Sequence, residues 1–403
     1  MDIIVRKSYL SHIISHLNRG MMIILVGQRR VGKSYMLRQL KRWLEENESD
    51  STVVYINKEL LDFSNITNAI ELNDYVSSKF KPDGKNYLLI DEVQDIEGYE
   101  DALRSLHAED RCQIIATGSN AYIFSSELST RLGGRYVEIP IYGLSYSEFL
   151  EFHGLDDNDE SLNDYLRVGG LPGLRLYDIN DEIHVHDYLQ GVYNTIMMRD
   201  VVAREQIRNV PFIENLSKFI ADNDGKLIST NSIVKFMKSQ GEKVSDSMTS
   251  TYITHLCKAL IINPVARYDI HGKKLFEMIF KYYFADHGLR NYLCGFNIRS
   301  SIEKIMENVI YLHLLTQGYS VKVGILRAGE VDFVATKSGK TIYVQVTYLL
   351  ASDETIGREF GNLAAIKDNF PKYVVSMDPV SGDLDKYPGI HHVHLRKFLK
   401  MEL

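Results

Sequence analysis

Cysteine is scarce in this chain. Only Cys112, Cys257 and Cys294 occur in 403 residues, widely spaced and without a C-x-x-C pair. That speaks against a disulfide framework or a zinc–thiolate module and suits a reducing compartment. Long apolar runs are missing too. No stretch approaches the roughly 18 residues that a membrane-spanning helix needs, and the first residues lack a secretory leader pattern. The expectation is a cytoplasmic protein with no membrane partner. A strong net charge is also absent. The balance is −7, so the whole molecule is no general polyanion binder. The charge is uneven, however: Lys226 to Lys281 holds nine Lys and Arg against four Asp and Glu, a local +5, so the remainder carries −12.

What is present is ordinary globular material, 45% hydrophobic and 25% charged, long enough for two or three domains. The most informative stretch is Met22 to Leu40. An apolar run, Ile23–Val26, breaks at Gly27, and the chain continues as Gly27-x4-Gly32-Lys33-Ser34 into a helical pattern. Strand, glycine-rich turn and helix are the context that a phosphate-binding loop requires. Glycines let the backbone approach phosphate oxygens. The loop amides and the helix N-terminus then face the anion. Residues Gly27, Gln28, Arg29, Arg30, Val31, Gly32, Lys33, Ser34 and Tyr35 are the candidate nucleotide contacts. Lys33 is placed to reach the β- and γ-phosphates of ATP, and Ser34 to hold Mg2+.

Strands alternate with helices through the first third: Thr52–Ile56, then Asn86–Glu92, then Cys112–Thr117, with helices over 8–17 and 64–80. This order predicts a doubly wound parallel sheet, whose ligands sit at the carboxyl ends of the strands. Asp91 ends an apolar strand and is the candidate metal acid. Glu92 follows it as the candidate general base. Ser119 and Asn120 end the next strand. They read either as a sensor of the terminal phosphate or as a satisfied turn.

The segments LLIDEVQ, IIATGSNAYIFSSELSTRLGGRYVEIPIYGLSYSEFLEF and YLRVGGLPGL resemble a group of bacterial and archaeal AAA-type ATPases. Their C-terminal half is a domain of unknown function. The likeness continues through YNTIMMRDVVAREQIRN, KYYFADHGLRNYL and EVDFVATKSGKTIYVQV, nearly the whole chain. It implies an α/β fold in four parts: a P-loop NTPase parallel sheet (1–144), a helical lid (145–222), a winged helix (223–283) and a restriction-endonuclease-like domain (284–403). It also implies an arginine near the end of LGGR, Arg135 with Arg131 nearby, that acts on the γ-phosphate across a subunit boundary in a homo-oligomer. A surface ion pair is the alternative reading of either arginine. Arg167 and Arg199 read as lid contacts or, preferably, as structural ion pairs.

In the basic stretch, helices over Ser232–Ser239 and Ser247–Leu260 precede a hairpin over Val265–Phe280, a winged-helix order. The second helix offers Thr249, Ser250, Tyr252, Thr254, His255 and Lys258 but no arginine for guanine. Lys243, Lys273 and Lys274 suit phosphates, so DNA contact and packing against a protein partner both stand as readings. The last part follows an αβββαβ order. Glu307, Glu330 and Asp332 supply acids, but Thr347 stands where the nuclease chemistry needs lysine, and Gln345 is a neutral ligand. The expectation is a degenerate nuclease fold. His391-His392-x-His394 reads as an exposed strand in preference to a metal site.

Overall fold

The computed structural model describes residues 4–118, 132–327, 329–379 and 382–403. The chain divides into two compact units, one running to Tyr142 and including Lys258–Leu260, the other made of Gly143–Cys257 and Ile261–Leu403. Among the described residues no helix is long and apolar enough to cross a membrane.

The first unit opens with helix α1 (Lys7–His16) and strand β1 (Met22–Val26). It continues through α2 (Lys33–Asn47), β2 (Thr52–Asn57), α3 (Ala69–Lys79), β3 (Asn86–Asp91), α4 (Tyr99–Ala108), β4 (Gln113–Gly118) and β5 (Tyr136–Pro140). The five strands form one parallel sheet in the order β2-β3-β4-β1-β5. Strands β1 and β3 are buried along their whole length. Their continuous apolar runs, without alternation, are what a strand covered on both faces requires. Ile24, Val26, Leu88 and Ile90 are at most 2% exposed, and each contributes roughly 1.5–3 kcal/mol by leaving water. The helix expected over 64–80 begins later, at Ala69, because Asn68 caps it by accepting from the Ile70 and Glu71 amides.

The second unit begins with helices α5 (Tyr146–His153), α6 (Asp159–Val168) and α7 (Glu182–Thr195), the last running on into a π-helical stretch, Ile196–Ala203. The capping box read at Ser145 and Glu148 is present. Then come α8 (Val210–Asp222), β6 (Leu227–Ile228), α9 (Thr230–Ser239), α10 (Asp246–Lys258), β7 (Ile262–Asp269) and β8 (Lys274–Phe284). The rest is α11 (His287–Leu293), α12 (Ile302–Thr316), β9 (Ser320–Ile325), β10 (Glu330–Lys337), β11 (Lys340–Val346), α13 (Asp353–Ala364), β12 (Lys372–Ser376), β13 (Ile390–His394) and α14 (Leu395–Phe398). The β7–β8 hairpin and the terminal strands share one eight-stranded sheet, ordered β13-β12-β11-β10-β9-β7-β8-β6.

Candidate phosphate-binding site

Register places the site. Leu25 pairs with Thr117 and Val26 with Gly118, while Asn57 pairs with Asp91. The carboxyl ends of β1, β4 and β3 therefore lie side by side, about 4.8 Å apart per strand. The loop from Gly27 to Gly32 leaves the first of them and turns into α2.

Close packing explains the first glycine. A Cβ on Gly27 would lie 2.1 Å from the Ile141 carbonyl oxygen, and the Ile141 amide donates to Val26 O at 2.6 Å. Gly32 sits at φ +101° as the N-cap of α2, with neither a side-chain cap nor an acid in the first turn. The helix thus presents unpaired amides and its positive end. Arg30 is exposed and held at φ +72°, a costly conformation for a non-glycine residue. Gly27→Ala should therefore displace the strand end. We expect a loss of about 1–3 kcal/mol in urea unfolding, whereas Gly191→Ala, in open space on α7, should be neutral or stabilising.

Lys33 is 4% exposed. Its ammonium donates to Gly27 O at 2.8 Å and Gln28 O at 2.9 Å, so the loop carbonyls hold the charge inside the cradle. Gln28 is 2% exposed, and both side-chain amide atoms lack a hydrogen-bond partner among the described residues. Val31 is buried, and Arg29, also buried, lies 3.9 Å from Glu59. Tyr35 points outward, its ring covered by the Arg38 guanidinium at 5.2 Å.

Asp91 is fully buried, and Thr117 Oγ1 donates to its Oδ1 at 2.7 Å. Burial pushes the carboxyl above its usual range, while hydrogen bonds from Thr117 and Ser34 oppose that shift. Glu92 is 5% exposed and adopts φ +58°. Its amide donates to Thr117 Oγ1 at 2.9 Å, and its carboxylate accepts from the Gln94 amide. Lys33, Ser34, Asp91 and Glu92, read from separate parts of the sequence, thus converge. A serine hydroxyl and a buried carboxylate, Ser34 and Asp91, are oxygen donors of the kind that a divalent cation would take.

Two contributors escaped the sequence reading. Thr117 ties Asp91 to the Glu92 backbone; its one signal is a hydroxyl ending an apolar strand. Arg6 braces the loop, donating to Val31 O at 3.2 Å and Tyr142 O at 2.9 Å with its guanidinium 4.4 Å over the Tyr9 ring. Asn120, Ser119 and Arg131 lie outside the described residues. Arg135 is exposed and immediately precedes β5, whose Tyr136 pairs with Met22. It therefore stands at the amino-terminal end of the parallel strands, whereas Gly27 follows the carboxyl end of β1.

In the second unit, Arg167 bonds Asp164 and the Ile179 carbonyl, the structural role preferred for it. Of the side chains expected to face outward from α10, Thr249 is fully buried and His255 lies 2.7 Å from Glu205. The three histidines of β13 do not converge: His392 is buried against Ser376 Oγ at 2.8 Å, His391 pairs with Asp383, and His394 caps α14. The expectation of an exposed strand is corrected here, because most of β13 is buried. Glu307, Glu330 and Asp332 do come together, around Lys281.

Comparison with known proteins gives two family matches, an AAA domain over residues 19–150 and a domain of unknown function (DUF8612) over 159–300. An uncharacterized protein of Haemophilus influenzae is 31% identical over 377 residues, spanning 92% of each chain. Another from Methanocaldococcus jannaschii is 27% identical over 345 residues, covering 81% of this chain and 74% of that one. Among solved structures, the Walker-type ATPase PABY2304 of Pyrococcus abyssi aligns with a TM-score of 0.53 at 18% identity, over 73% of this chain and 96% of that chain. That alignment speaks to the fold.

Proposed function

We propose that this chain, which belongs to one family with the uncharacterized Haemophilus influenzae protein and matches an AAA domain over residues 19–150, binds ATP with Mg2+ at Gly27–Ser34 and hydrolyses it. The observation that carries the proposal is the meeting of Lys33, Ser34, Asp91 and Glu92 at the carboxyl ends of β1 and β3. Lys33 exchanges the carbonyls of Gly27 and Gln28 for β- and γ-phosphate oxygens. Ser34 and Asp91 hold the cation. Glu92, fixed through Thr117 and Gln94, takes the proton of the attacking water. Arg135, set at the amino-terminal end of the strands, away from the loop of its own chain, reaches the phosphate of a neighbouring copy, which makes the working species a homo-oligomer. The work is cytoplasmic.

Helices α8–α10 with strands β6–β8 support a winged-helix reading, and α12, β9–β11, α13 and β12 a restriction-endonuclease-like one. Lys243, Lys273 and Lys274 are exposed, the last two around the hairpin tip. The outer hydroxyls of α10, on Thr251 and Thr254, turn back onto their own helix carbonyls, which leaves little to read bases. DNA contact through phosphates, insensitive to sequence, follows. The test is ATPase rate against protein concentration, with and without duplex DNA. Rate per chain should rise with concentration and lose that rise in Arg135→Ala. DNA binding should weaken with salt, and Lys273→Glu with Lys274→Glu should lower the salt slope by about 2. DNA-indifferent turnover with a co-purifying protein would replace DNA by a protein partner.

A further inference from the structure

A restriction-endonuclease-like domain implies a divalent metal, and the residues present do not fit one. Lys281 on β8 is 3% exposed. Its ammonium lies 3.2 Å from Glu307 Oε2, 2.7 Å from Glu330 Oε1 and 3.1 Å from Asp332 Oδ1. An ammonium carries three donors, and each carboxylate takes one. Two of the acids are committed further. Tyr283 Oη donates to Glu307 Oε2 at 2.9 Å, and the Val346 amide donates to Asp332 Oδ2 at 2.9 Å. These are hydrogen-bond lengths, whereas a divalent cation draws the same oxygens to about 2.0–2.6 Å. Among the described residues no His, Cys, Asp and Glu group is arranged to hold a metal ion.

The position of the cluster in the fold gives it a purpose. Two strands, β9 and β7, separate β10 from β8 in the sheet order, yet Lys281 reaches Asp332. The pairing of β7 with β9 covers only Arg267–Asp269. Toward Ile262 β7 and β9 are no longer paired, and Lys281, opposite Val265, lies at that unpaired end. Tyr283 stacks there on Tyr311, ring centres 4.8 Å apart. Burial acts to neutralise the ammonium, but three carboxylates outweigh it and keep Lys281 charged. Burial also pushes Glu307 up to about 8.

We propose that Lys281 is a built-in substitute for the metal: its ammonium bridges Glu307, Glu330 and Asp332 and pins the β7–β8 hairpin to α12 and β10. The terminal α/β part then has no metal-dependent cleavage step and acts as a rigid platform for the hairpin. The inference is independent of the ATPase reading.

The test is Mn2+ binding to the nucleotide-free, full-length chain, followed by electron paramagnetic resonance. Wild type should bind no equivalent that Asp332→Asn removes. Lys281→Ala should gain one equivalent per chain, lost again when Asp332→Asn is added. Should Lys281→Ala unfold, refolding by Mn2+ supports the substitution. If Mn2+ does not refold it, the wild-type titration decides. A wild-type chain that binds one Mn2+ through Asp332, or a folded Lys281→Ala that gains none, overturns it.

Discussion

Lys33→Ala is expected to bind MgATP about 2–4 kcal/mol more weakly than wild type, roughly 30- to 1,000-fold, while the chain stays folded. The ammonium is buried and already desolvated by the loop, with Gly27 O and Gln28 O as its partners. Little reorganisation is left when phosphate oxygens replace those carbonyls, so most of the charge-assisted bonding appears as affinity. Truncation also leaves two loop carbonyls without a donor, and that loss falls on the cradle itself. Alanine suits the first turn of α2, so the helix is not the casualty. Calorimetric titration with ATP and Mg2+ reads the effect directly. Unchanged affinity would move the nucleotide elsewhere.

Glu92→Gln separates binding from chemistry. The side chain keeps its shape, and the Glu92 amide bond to Thr117 Oγ1 is a backbone contact that the substitution leaves alone. What disappears is an acceptor basic enough to take a proton from water, worth about 10²- to 10⁴-fold in rate. ATP should bind as tightly as before and turn over that much more slowly. A trapped ATP complex in rapid filtration would show it. Wild-type turnover would assign the base to another group. The strained backbone at this position, φ +58°, is the kind of conformation that persists where the surroundings over-determine it.

The parts of the molecule that the sequence made legible are local. Gly27 to Ser34 signals itself through eight neighbouring residues. Asp91 is marked by the apolar strand it terminates. Element order in the second unit follows from periodicity, with ends shifted by a few residues where a cap such as Asn68 decides them. The parts that were not legible act across long separations. Thr117 reaches Asp91 over 26 residues, and Arg6 reaches Tyr142 over 136. Neither is marked by a spacing. The end of the sheet at which Arg135 stands follows from the Met22–Tyr136 register, which no composition reveals. The sequence led one to look for a lysine at Thr347. The structure instead brings Lys281 to Asp332 from 51 residues away, because the fold, and no short motif, makes them neighbours. Burial likewise removed Thr249 from the outer face of α10, and Glu205 engages His255, although helical spacing alone had offered both.

The most direct measurement is release of inorganic phosphate from ATP by the full-length chain, with Mg2+ and with chelator. The account predicts turnover that requires Mg2+, vanishes in Lys33→Ala and collapses in Glu92→Gln without loss of bound ATP. Phosphate release that persists in both variants, or tight ATP binding with no release at any protein concentration, would contradict it.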